Sequence, residues 1–146
     1  MPTLNDARDA IGPTLRTNLF DITFDVLPGF PDLLKEKMSF LACRTEIPGI
    51  TGTSAFGLEP TWSVTFLLAD LDLFDAFMEW ESERLEELGE ATITIYNLDG
   101  SKDRSYKVTG MRIVEINSIY LEWEPATMPA KLDVSFRIES CKKVMQ

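Results

Sequence analysis

The sequence predicts a mainly β fold of the α+β kind: an antiparallel β-sandwich or barrel of about seven strands with one long flanking α-helix over residues 71–88. Three observations predict it. Several segments alternate apolar and polar residues with period two, a single long segment has a helical period, and no β-α-β rhythm links them. The chain of 146 residues is one domain in length, with 45% hydrophobic and 26% charged residues, so it can bury a core without a disulfide or metal staple.

Residues 1–17 are mixed and polar around Gly12-Pro13 and read as an arm before the fold. Over 18–26, Phe20, Ile22, Phe24 and Val26 alternate with Asp21, Thr23 and Asp25, the pattern of a half-buried strand. Residues 27–37, with Pro28-Gly29 and Pro31, read as a loop with room for one helical turn, and 38–45 as the next strand. A Gly- and Thr-rich connection follows to Pro60. Over 61–68, Trp62, Val64, Phe66 and Leu68 then share one strand face.

Asp70 reads as the N-cap of the helix, because its carboxylate can accept from free first-turn amides, and Gly89 as its stop. Helical geometry gathers Leu71, Phe74, Phe77, Met78, Leu85 and Leu88 within about 120°, the predicted core face. Asp72, Asp75, Glu79, Glu83, Glu86 and Glu90 gather within about 80° on another side. Glu81 falls inside the apolar arc and Trp80 off its edge, which predicts a second, partly buried neighbour for the helix beyond its own sheet. Strands follow over 91–98, 105–116 with Gly110 as a bulge, 118–124 and 131–141, with a turn at Asp99-Gly100.

Composition excludes several chemistries. With no histidine there is no Ser-His-Asp or Cys-His arrangement and no His-ligated metal. The 14 Lys and Arg against 24 Asp and Glu leave a charge of −10, which disfavours gripping a phosphate backbone. No apolar run approaches the roughly 20 residues that span a bilayer, and the start lacks the pattern of a secretory leader. Cys43 and Cys141 stand far apart and read as reduced core thiols, with an intermolecular disulfide as the lesser reading. The carboxylate row lacks the asymmetry of an acid–base pair and the loop spacing of a calcium site. It reads as a solvated face or as a dock for a basic partner. Gly49, Gly52 and Gly57 form no phosphate-binding motif, and the three Trp read as core. No cofactor is expected.

Taken in order, Asn18-Leu19-Phe20-Asp21-Ile22-Thr23-Phe24, the run from Phe40 to Gly49, Trp62-Ser63-Val64-Thr65-Phe66, Phe77-Met78-Glu79-Trp80, Ile119-Tyr120-Leu121-Glu122-Trp123 and the run from Leu132 to Ile138 resemble the tail-tube protein family of contractile-tailed phages. The resemblance covers residues 18–140. Residues 27–36 look like an enlarged loop, and 51–60 look short where the family has a long axial hairpin. The resemblance implies a subunit of hexameric rings, stacked into a tube inside a contractile sheath in the virion, through which DNA passes. It implies as partners the chain itself, the sheath protein, and baseplate and tail terminator proteins, with no membrane.

On that resemblance, an acidic channel wall would repel DNA and let it slide. Asp21, Asp25, Thr61, Ser63, Thr65, Asp133, Ser135 and Glu139 are the candidate lumen residues, with Thr23, Thr92, Thr94 and Arg137 on the same polar alternation. The helix row of Asp72, Asp75, Glu79, Glu83, Glu86 and Glu90 is the candidate sheath dock, and Gly52, Ser54, Phe56 and Leu58 are candidate inter-ring or inter-subunit contacts. The other readings are a tube-initiator or baseplate adaptor ring, a type VI secretion tube ring, and a monomeric ligand-binding barrel. An enzyme is not expected.

Overall fold

A computed structural model describes residues 19–49, 60–68, 70–119 and 130–144. The alternating run near the start forms β1 (Phe20–Val26), which buries Ile22 and Phe24 and turns Thr23 and Asp25 outward. β1 lies antiparallel to β4 (Gly89–Tyr96), with Ile22 opposite Ile93 and Phe24 opposite Ala91. β4 turns through Asp99 and Gly100 into the long β5 (Lys102–Ile116). Asp99 Oδ1 accepts from the Ser101 amide at 2.8 Å and Gly100 takes φ +88°, so the predicted turn is present with its expected chemistry.

The first half of β5 pairs with β4 and the second half with β6 (Lys131–Arg137). β6 pairs with β3 (Thr61–Leu67), and β3 with β2 (Ala42–Thr45). The order is β1-β4-β5-β6-β3-β2, all antiparallel, and β7 (Ser140–Lys143) returns along the first half of β5. A single strand over 131–141 was the sequence expectation. The chain instead breaks at Ile138 and Glu139, opposite the predicted bulge at Gly110, whose φ is +68° and where a Cβ would collide with the Glu139 side chain. Residues 118 and 119 lie outside any strand, and the rest of the expected 118–124 strand lies outside the described residues, as do the arm and 50–59.

The sheet rolls upon itself. Phe24 on β1 meets Trp62 and Phe66 on β3, with ring centroids 6.5 and 5.8 Å apart, although these strands are separated by β4, β5 and β6 in the order. The two inner faces therefore enclose one core, in which Phe66, Phe77, Trp80 and Phe136 form a continuous aromatic chain.

The sequence-predicted helix runs over Asp72–Glu83 as α2, and it stops short of residue 88. The N-cap is Leu71, which makes no side-chain cap hydrogen bond; the expected cap, Asp70, stands one residue earlier, where its Oδ1 accepts from the Asp72 amide at 2.9 Å. Its core face differs from the expected one. Phe77 is buried as expected, but Leu73 and Trp80 are buried with it, whereas Leu71 and Met78 remain 53% and 44% exposed and Leu85 lies beyond the helix. The i, i+4, i+7 row holding two large aromatics fills the gap between the sheet halves, and the neighbouring leucine row is left at the rim. Trp80 also sets the end of α2. Its indole lies against Gly89, where a Cβ would stand 2.9 Å from the ring, and its Nε1 donates to the Glu87 carbonyl at 3.0 Å, which accompanies the turn from the helix into β4.

A second helix, α1 (Asp32–Leu41), replaces part of the expected loop and the first half of the expected strand over 38–45, whose second half is β2. Pro31 fixes its entry, and the Pro31 carbonyl accepts from the Leu34 and Lys35 amides. Leu, Lys, Glu and Met then supply good helix formers, and Met38 is buried beneath them. The supposed enlarged loop is thus partly helix. α1 packs on β1, β2, β3 and α2, across the gap between the two ends of the strand order.

Candidate assembly surfaces

Rolling the sheet creates two outward polar faces. The first is shared by β1, β4, the first half of β5 and β7. Lys107 Nζ donates to Asp25 Oδ2 at 2.7 Å and stands 3.6 Å from Glu90 Oε2, while Thr92 Oγ1 donates to the same Asp25 oxygen at 2.8 Å. The hydrogen bond to Asp25 raises the Lys107 pKa above its ordinary value. Hydroxyl pairs Thr94–Ser105 and Thr109–Ser140 extend this face at 3.2 and 2.6 Å.

The second face is shared by β3, β6 and the second half of β5. Ser63 and Ser135 pair at 2.9 Å, and Thr65 Oγ1 donates to Asp133 Oδ1 at 2.6 Å. Thr45 on β2 adds a hydrogen bond to the Ser63 carbonyl at 3.0 Å. Arg112 stands directly opposite Arg137, a like-charged pair that costs stability unless an anion meets it. With Arg44 and Lys131, these outnumber Asp133 and Glu115.

The lumen candidates therefore do not form one set. Asp21 and Asp25, with Thr23, Thr92 and Thr94, lie on the first face; Thr61, Ser63, Thr65, Asp133 and Ser135, with Arg137, lie on the second. Glu139 lies at the β6–β7 break beside Gly110. The acidic row also divides. Asp72, Asp75, Glu79 and Glu83 are exposed on α2, whereas Glu86 follows the helix and Glu90 belongs to β4, where it approaches Lys107. Helical spacing was applied past the point where the helix ends. Glu81 is exposed, so no second neighbour covers it among the described residues. Gly52, Ser54, Phe56 and Leu58 lie outside the described residues.

Cys43 is exposed on β2 with its thiol 3.5 Å from the Thr65 carbonyl, which corrects its reading as a core thiol; Cys141 is half-buried, and burial pushes its pKa up. Both are free thiols. Among the described residues, no cluster of three or more His, Cys, Asp or Glu could hold a metal ion, and no helix is long and apolar enough to cross a membrane.

One surface escaped the sequence reading. Phe40 on α1 is 88% exposed and Leu33 is 66% exposed, seven residues apart on the side of the helix opposite buried Met38. Seven-residue spacing was visible in the sequence, but it carries meaning only once residues 32–41 are known to be helical.

No family model matches the chain, and no curated protein matches it. Solved structures do. A chain of the sheath–tube complex of an extracellular contractile injection system, in its extended state, superposes with a TM-score of 0.58 at 10% identity, covering 99% of this chain and 100% of that one. A chain of the anti-feeding prophage cap, described as a tube terminating cap, gives 0.57 at 12% identity over 92% and 93%. A chain of the anti-feeding prophage baseplate gives 0.51 at 8% identity over 91% and 96%. The chain has a tail-tube-like fold, shared with components of contractile injection systems.

Proposed function

We propose that the chain is a structural subunit of a phage contractile tail tube, assembling into stacked hexameric rings that conduct DNA inside a sheath. The observation that carries this reading is the end-to-end fold match to a chain of a sheath–tube complex, which leaves almost no part of either chain unaccounted for. An open, rolled sheet supports it, since the outer edges of β1 and β2 carry no partner strand among the described residues and a neighbouring copy can supply one. The matches to baseplate and cap chains favour a second reading, an initiator, adaptor or terminating ring with the same fold.

Within the tube, the β1–β4–β5–β7 face suits the channel wall. Asp21, Asp25 and Glu90 there balance Lys102, Lys107 and Lys142, and Lys107 is held by Asp25 and Glu90, so passing phosphates meet no net positive charge, whereas the arginines of the other face would hold them. The α2 row of Asp72, Asp75, Glu79 and Glu83 is the dock for a basic element of the sheath. Negative-stain electron microscopy of the purified chain across a concentration series tests the central reading. Striated hollow tubes are the expected result, isolated rings favour the adaptor or cap, and monomers at every concentration and salt overturn both.

A further inference from the structure

We propose that the outward face of α1, anchored by Phe40 with Leu33 beside it, is a docking surface for a second copy of this chain. The inference rests on the ring reading and names the lateral contact that a ring requires. Phe40 is the most exposed of the large apolar side chains among the described residues, at 88%, and Leu33 at 66% lies one heptad before it on the same side of the helix. The face is not needed for the subunit's own core, because α1 is held from beneath by Met38 on β1, β2 and β3. Past the helix, Ile47 is a further exposed apolar side chain, at 42%.

Charge and backbone both select a second copy as the occupant. The chain carries −10, yet on α1 Asp32 and Glu36 are balanced by Lys35 and Lys37, with Lys35 Nζ 3.5 Å from Asp32, and Arg44 follows on β2. With Glu46 beyond it, this patch is neutral on an acidic molecule, and an acidic copy can approach it without the repulsion it would meet at α2. A basic partner would gain more at α2. Directly after α1, β2 pairs on one edge with β3, and its other edge is unpaired among the described residues. A neighbour seated over Phe40 lies within reach of that edge. Docked against a different surface of the next copy, the face propagates contacts head to tail and closes as a ring when the rotation permits.

Sedimentation and electron microscopy of the wild-type chain, Phe40→Asp and Phe40→Leu test this, with circular dichroism and thermal melting of each. The expected result is an unchanged fold in all three, assembly of the wild type and Phe40→Leu, and a rise of about 30-fold or more in the concentration at which Phe40→Asp assembles. If Phe40→Asp assembles as the wild type does, the inference falls while the tube reading stands. If the wild type itself never assembles, both fall. A lower melting temperature for monomeric Phe40→Asp would assign the face to another segment of the same chain, and normal self-assembly with lost sheath binding would assign it to the sheath; either result overturns the proposal.

Discussion

Gly110 joins sequence to architecture through a single backbone angle. Its φ of +68° lets β5 carry an extra residue against β4, and its missing Cβ leaves room for Glu139, where the paired chain breaks into β6 and β7. Gly110→Ala combines an unfavourable φ with a steric collision and should cost about 1–3 kcal/mol, read as a lower midpoint in urea. Lys107 gives a second residue-scale expectation. Its pKa is raised in the folded chain by the Asp25 hydrogen bond, so the stability it contributes is fully present below the ordinary lysine range and is lost as pH rises through the folded value. Lys107→Met should flatten the alkaline fall in stability above about pH 10 relative to the wild type, and thermal melts from pH 8 to 11.5 would show it. An identical alkaline slope in both proteins would mean that the Asp25 contact is absent in solution.

At the scale of elements, legibility followed whether packing agreed with local pattern. β1 and β3 were readable because each buries one face against a continuous core, so alternation and burial coincide. α1 was not readable as helix because Pro28, Gly29 and Pro31 crowd its entry, and its outward Leu33 and Phe40 blur the apolar stripe that burial of Met38 alone would have made clean. For α2, the helix was legible and its inner face was not. Two apolar rows share Phe77 in the sequence, and the one that adds Leu73 and Trp80 wins because the space between the sheet halves requires aromatic volume. The candidate lumen set was split for a related reason: period two names a polar face without saying on which side of a rolled sheet it lies, whereas the sheath set was split because α2 ends at Glu83, short of Glu86 and Glu90. Substitution separates the two α2 rows. Leu73→Ala should cost about 2–5 kcal/mol, whereas Met78→Ser should stay within about 0.5 kcal/mol of the wild type in chemical denaturation. Comparable losses at both positions would restore the expected core face.

For the whole molecule, the proposed contacts respond to salt with opposite signs. Copies of a chain that carries −10 repel one another, and contact through a near-neutral α1 face works against that repulsion. The proposed sheath contact at α2 is instead an attraction between acidic and basic surfaces. Ions shorten the reach of both, from about 30 Å at 0.01 M to about 8 Å at 0.15 M. Added sodium chloride should therefore lower the concentration at which the purified chain assembles, while it weakens capture of the sheath protein. Reversing charge at Glu79 and Glu83 should abolish the salt dependence of sheath capture without raising the assembly threshold. Light scattering over a salt series reads the first response and a pull-down over the same series reads the second. Assembly that weakens with salt would show that charge attraction, rather than the apolar row of Leu33 and Phe40, joins the copies. The search for the contact would then move to the arginine-bearing β3–β6 face, where Arg112 and Arg137 stand opposite each other without an acidic partner among the described residues.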